Sequence, residues 1–185
     1  MSRFSTRTPE EFIGHLERYV FALSYIHKKS VLDLGCKDGY GAHLLSCFAK
    51  HVTLADRNTN SLALAEKYYR FLCETDSQQV DFEVDFPKGK WDAIVAFEVI
   101  EHIANYEQFV QNIADNLPSG GMLIFSVPHM IKNPDHKVLF DEKSILALIS
   151  KYFILEEFYI QDKLGISGKP AISPPISYVG VAYKL

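Results

Sequence analysis

The sequence predicts an α/β domain built on a doubly wound, seven-stranded sheet, mostly parallel with an antiparallel C-terminal hairpin and helices on both faces. Three observations predict it. Short apolar runs alternate with segments of helical periodicity along the whole of the chain. The run Asp92–Phe97 is almost continuously apolar, as a strand covered on both faces must be. Turn residues punctuate the segments, so that five βα-type units are followed by two strands.

The elements follow in order. Thr8-Pro9-Glu10-Glu11 reads as a helix start, with Thr8 as N-cap, Pro9 at the first helical position and Glu11 closing a capping box. Phe12, Leu16, Tyr19, Leu23 and Ile26 continue it at helical spacing to about Lys28. Val31–Gly35 is a strand and Gly41–Ala49 a helix. Val52–Asp56 is a second strand, and Asn58 or Thr59 caps a helix to about Leu72. Val80–Val84 alternates apolar and acidic residues and suits a strand near a sheet edge. Asp92–Phe97 is the fourth strand. Tyr106–Leu117 is a helix stopped by Pro118-Ser119-Gly120-Gly121, and Met122–Val127 is the fifth strand. Asp141 caps another helix. Phe153–Ile160 and Tyr178–Leu185 are the last two strands, separated by a Gly/Pro/Ser-rich loop from Gly165 to Pro175.

The chain of 185 residues fits a single domain with a real core. Its net charge of −4 and lack of a dense Lys/Arg run argue against nucleic acid and anionic lipid as partners. Cys36, Cys47 and Cys73 form no CxxC pair, which fits free thiols in a reducing, cytoplasmic setting. The N-terminal residues carry no apolar signal core, and no segment is apolar enough for a membrane helix. The expectation is a monomer or homodimer acting on a small-molecule or sugar acceptor.

In doubly wound sheets, ligands bind outside the carboxyl ends of the strands. The first strand ends in Asp33-Leu34-Gly35-Cys36-Lys37-Asp38-Gly39-Tyr40-Gly41, whose glycines allow a sharp turn and a close backbone approach to a ligand. The second strand ends in Asp56, about 20 residues beyond that turn, where a carboxylate accepts from both hydroxyls of a ribose. Together they point to a nucleoside-bearing cofactor. Lys37 breaks the register of a dinucleotide GxGxxG loop, which weighs against a dehydrogenase.

These segments resemble the class I S-adenosylmethionine-dependent methyltransferases, which share a Rossmann-like fold. Asp33–Gly41 resembles their first motif, Trp91–His102 their fourth-strand motif, and Leu117–Pro128 the passage into their fifth strand. The resemblance implies S-adenosylmethionine as cofactor and S-adenosylhomocysteine as product. It implies that Asp33 and Gly35 line the methionine moiety, with Gly39 in the same turn. It places Asp56 at the ribose with Arg57 beside it, Asp85 after the third strand at the adenine amino group, and the backbone of Phe97 at the cofactor amino group. Lys37 stands where the family usually has glycine, and there it crowds the methionine end, points to solvent, or contacts the cofactor carboxylate.

Glu98-Val99-Ile100-Glu101-His102 follows the fourth strand, and His129 and His136 follow the fifth. Both loops belong beside the reactive methyl group. A hydroxyl acceptor must lose a proton, for which His102 or His129 is the candidate general base. The alternative is a divalent ion such as magnesium held by Glu98, Glu101, His102 and His136. This ExxEH pattern resembles the ubiquinone-biosynthesis O-methyltransferases and the small-RNA 3′-terminal ribose 2′-O-methyltransferases. Two further readings stand beside an enzyme for small molecules: an RNA 2′-O-methyltransferase, and a degenerate, non-catalytic cofactor-binding or interaction domain. The N-terminal helix, within residues 1–30, either folds over the pocket or leaves it open.

Overall fold

The computed structural model describes residues 8–168 and 174–185. Part of the Gly/Pro/Ser-rich loop and the first seven residues lie outside them. Eight strands form one sheet in the order β3-β2-β1-β4-β5-β8-β6-β7. Strands β1 (Ser30–Leu34), β2 (His51–Asp56), β3 (Glu74–Gln79), β4 (Ala93–Phe97) and β5 (Met122–Pro128) are mutually parallel. Strand β8 (Ser177–Lys184) runs antiparallel between β5 and β6 (Phe153–Asp162).

Alternation along the strands splits the core into two layers. Val31, Val52, Val95 and Phe97 face α1 (Pro9–Ala22), α2 (Tyr40–Leu45) and α3 (Thr59–Tyr68). Leu32, Ile94, Leu123 and Phe125 face α4 (Tyr106–Asp115) and α5 (Glu142–Ile149). A sheet with helices on both faces buries both side-chain rows of each central strand, hence their apolar runs.

Local chemistry sets the helix starts. Thr8 and Glu11 form the expected capping box: Glu11 N donates to Thr8 Oγ1 (3.2 Å) and Thr8 N to Glu11 Oε2 (2.8 Å). Asn58 caps α3, and Asp141 pairs with Ser144 in a second box at α5. Helix α1 ends at Ala22, short of Lys28, because Ser24 and Tyr25 turn back to the carbonyls of Phe21 and Ala22.

The structure corrects the reading in two places. The strand expected at Val80–Val84 is a turn, because the Asp81 carbonyl accepts from the N–H groups of Val84 and Asp85 and its side chain from Glu83 N. The third strand is instead the polar segment Glu74–Gln79, an edge that pairs only with β2 and needs no apolar face. There is also an eighth strand, β7 (Gly165–Ser167), on the far edge within the loop expected after the sixth.

Candidate active site

The cofactor loop is built by backbone geometry. Gly35 (φ 70°) and Gly39 (φ 84°) adopt left-handed conformations, and a Cβ on Gly39 would lie 2.4 Å from that of Ala65. Lys37 takes the same conformation (φ 50°) with a full side chain, at a cost of about 1–2 kcal/mol. The loop is tied to the second strand: Lys37 N donates to Asp56 Oδ2 (2.9 Å) and Gly35 N to the Ala55 carbonyl (2.8 Å). Asp56 Oδ1 accepts from Asn58 N at 2.8 Å. Lys37→Gly is expected to stabilise the protein by about 0.5–1 kcal/mol, the strain relieved minus glycine's greater unfolded entropy. Urea denaturation measures it, and a loss of stability would refute the strain.

Asp33 is fully buried beneath α1, where its carboxylate oxygens accept from Tyr19 Oη at 3.1 and 3.3 Å. Burial, with a smaller push from the charge of Asp56, raises its pKa to about 8, although the Tyr19 bond pulls the other way. The unfolded carboxyl ionises near 4 and the folded one near 8. Stability from this group is therefore complete below the lower value and is lost as pH rises through the upper. Between pH 5 and 7.5 the cofactor-free protein is expected to lose about 1.4 kcal/mol per pH unit on its account. Asp33→Asn should remove that slope in urea melts at several pH values; an unchanged slope would sink this assignment.

The same helix closes on the loop through aromatic packing. The Tyr19 ring meets Phe97 edge-on at 5.1 Å and Tyr40 at 5.6 Å. It fills the space beside Gly41, where a Cβ would come within 2.0 Å of Tyr19 Cζ. Helix α1 thus lies over the ends of β1 and β4.

Downstream of β4 the chain turns sharply at Glu98, which has φ 55°. Its Oε1 accepts from Ser126 Oγ at 2.8 Å and stands 3.9 Å from Arg18 Nη1. A short 3-10 turn (Ile100–His102) then carries Glu101 inward and His102 outward. Glu101 is 1% exposed, and neither of its carboxylate oxygens has a hydrogen-bond partner among the described residues. Burial, then the charge of Glu98, pushes its pKa up to about 9, while Arg18 and Lys37 pull it down.

Glu101, His102 and His136 converge, with one ligand atom from each within 4.8 Å of the others. His102 Nδ1 lies 3.0 Å from the Asp135 carbonyl and His136 Nδ1 2.9 Å from the Ile131 carbonyl. A carbonyl only accepts, so each Nδ1 donates and each neutral ring keeps its Nε2 lone pair free. His102 Nε2 stands 3.7 Å from Glu101 Oε1. Burial lowers the pKa of His102, keeping the ring in the neutral form that can accept a proton or ligate a cation.

Of the expected residues, then, the structure gathers three at one point. Glu98 is engaged by Ser126 instead, and His129 sits apart, bonded through Nδ1 to Tyr178 Oη at 2.7 Å. Asp85 lies six positions past the end of β3, and its side chain accepts from Phe86 N at 2.8 Å; Asp81 stands two positions past that end. Arg57 is exposed, and its carbonyl accepts from Gln79 Nε2 at 3.4 Å. Arg18, Ser126 and Gln161 went unread. Only Arg18 gave a signal, as a charge next to Tyr19 on the apolar stripe of α1.

A parallel sheet in this order, with a glycine loop after the first strand and acidic groups after the second and fourth, defines a nucleoside-cofactor α/β domain. Residues 8–147 match the family described as "Methyltransferase domain", and the chain belongs to that family. A probable S-adenosylmethionine-dependent methyltransferase of Mycobacterium tuberculosis is 33% identical over 104 residues, 56% of this chain and 37% of that protein. A ubiquinone biosynthesis O-methyltransferase of Rickettsia akari is 26% identical over 129 residues, 66% of this chain and 47% of that protein. The chain spans roughly a third to a half of the length of these curated relatives. Among solved structures, the N-methyltransferase NodS of Bradyrhizobium japonicum, in complex with S-adenosylhomocysteine, superposes with a TM-score of 0.74. The match covers 97% of this chain and 89% of NodS at 16% identity, a likeness of fold. No helix among the described residues is long and apolar enough to cross a membrane.

Proposed function

We propose that this chain transfers a methyl group from S-adenosylmethionine to a hydroxyl of a small molecule or carbohydrate. The observation that carries the acceptor side is the convergence of Glu101, His102 and His136, with a buried carboxylate that lacks any donor among the described residues. The cofactor supplies a methyl already activated on a sulfonium, so the protein's tasks are orientation, exclusion of water and removal of one proton.

Asp56 holds the ribose through the lone pairs its backbone partners leave free. Asp33, Gly35 and the Phe97 carbonyl line the methionine end. Asp81, rather than Asp85, takes the adenine amino group, because it stands two residues beyond the end of β3 and Asp85 six. His102 Nε2 accepts the acceptor's proton, and the positive charge it gains 3.7 Å from Glu101 Oε1 favours the ionised form of that buried carboxyl, which in turn stabilises the imidazolium. One carboxylate and two imidazoles also suit a divalent cation, and the orphaned Glu101 oxygens fit one. Such an ion, when bound, lowers the pKa of a hydroxyl. His136 and His102 would hold it through Nε2, each oriented by a backbone carbonyl.

The test is S-adenosylhomocysteine release over a panel of hydroxylated small molecules and sugars, with magnesium or manganese and with excess chelator. Turnover that His102→Ala and Glu101→Gln abolish supports the reading. Failure of the protein to bind S-adenosylhomocysteine at millimolar concentration would refute it. Full turnover in chelator would remove the ion and leave His102 as base.

A further inference from the structure

Three positions in the loop after β1 take left-handed backbone, and two of them are glycine. The third, Lys37, carries an exposed side chain there, at a cost that glycine would avoid. Strain that persists in a ligand-binding loop points to a use for the side chain that causes it.

That side chain belongs to the acceptor end of the site. A Cβ on Gly35 would lie 2.8 Å from Val99 Cγ2, so the loop carrying Lys37 abuts the segment that carries Glu98, Glu101 and His102. Burial sets the direction of the pKa shift at both Glu101 and His102, and the charge of Lys37 acts on both: it lowers Glu101 against burial and lowers His102 along with it.

The fold brings two further lysines to the same cluster. Lys137 N donates to the Glu101 carbonyl at 2.7 Å, and Lys132 follows Ile131, whose carbonyl orients His136. Both are exposed, and Asp135 is the one acid in the segment Met130–Lys137. Other carboxylates nearby are engaged or recessed: Glu98 accepts from Ser126 Oγ (2.8 Å), Glu83 from Ala104 N (2.8 Å), and Glu101 is buried. A chain of net charge −4 thus gathers positive charge from two loops, distant in sequence, around one cluster.

We propose that the acceptor carries an anionic group, a carboxylate or a phosphate, beside the hydroxyl it offers to His102, and that the Lys37 ammonium holds this group. Lys132 and Lys137 add to the attracting field. The inference rests on the function proposed above and narrows its acceptor class. An ammonium is a compact point charge, so Lys37 selects for charge more than for shape.

The hydroxylated panel, run as matched pairs, tests this: each hydroxy acid beside its methyl ester, as lactate beside methyl lactate, and each sugar phosphate beside the parent sugar. The wild type is expected to favour the charged member of a pair; an advantage confined to acids assigns a carboxylate, and one confined to phosphates a phosphate. Lys37→Gly is expected to cut kcat/KM for the charged members about 10-fold, through KM, with S-adenosylhomocysteine affinity by calorimetry within about threefold of wild type. Lys37→Arg should keep the preference. A preference unchanged in Lys37→Gly overturns the proposal. A fall in S-adenosylhomocysteine affinity that matches the loss of activity assigns the ammonium to the cofactor and overturns it too. A wild-type protein that turns over only neutral members overturns the proposal and leaves the proposed function standing; one that turns over nothing, or binds no S-adenosylhomocysteine, overturns both.

Discussion

Asp56→Ala is expected to weaken S-adenosylhomocysteine binding by at least about 100-fold, the sum of hydrogen bonds to a charged group at roughly 1.5–3 kcal/mol each. A carboxylate offers about four lone-pair sites. Lys37 N takes one at 2.9 Å and Asn58 N another at 2.8 Å, which leaves two for the paired hydroxyls of a ribose. Alanine removes the ribose contacts and also unpins the cofactor loop from β2, so the free protein should melt lower as well. Asp56→Asn keeps one acceptor oxygen and should fall between. Calorimetry with the wild type beside both variants reads the effect. Affinity within about threefold of wild type in Asp56→Ala would exclude the ribose role.

Gly41→Ala should destabilise the protein by about 1–3 kcal/mol, the usual cost of forcing an extra methyl into a filled core. In an ordinary helix the same change stabilises, because glycine is the poorer helix former. Here the added Cβ would lie 2.0, 2.3 and 2.4 Å from three Tyr19 ring atoms. The ring has little room to retreat, since Phe97 and Tyr40 pack on it and its hydroxyl is bonded to Asp33. The helix must therefore lift, taking Arg18 and Tyr19 with it. A melting temperature lowered by several degrees, with no further lowering when Gly41→Ala is added to a Tyr19→Ala background, would show that the clash is with this ring. A variant as stable as wild type would show that α1 does not press on α2.

The central strands could be read from sequence because their environment is the simplest in the fold. Ala93–Phe97 and Met122–Pro128 are covered on both faces, so burial alone dictates their composition. The third strand had no such signature: Glu-Thr-Asp-Ser-Gln-Gln pairs along one edge and faces water elsewhere, and the apolar residues that follow it belong to a turn. Site residues show the same division. Asp33, Asp56, Glu101 and His102 stand at strand ends or just beyond, where the topology delivers ligand contacts, and their positions followed from the strands. The meeting of His136 with Glu101 and His102 depends on a loop bond from His136 to the Ile131 carbonyl, which no periodicity encodes. Gln161 and Arg18 meet across 143 positions of chain, and only the folded sheet brings them together.

The place of β8 between β5 and β6 sets an order of events during synthesis. Strands β1 to β5 can assemble as they emerge, each beside a strand already made. Strand β6 cannot join them, because its neighbour in the finished sheet is a segment still to be translated. Until residues 177–184 arrive, β5 presents an open, wholly buried-type edge, Met-Leu-Ile-Phe-Ser-Val-Pro, to whatever is nearby. Such an edge is a template for pairing with other chains. The sheet can therefore close only when β8 enters the gap between β5 and β6, and the edge of β5 is covered at that step.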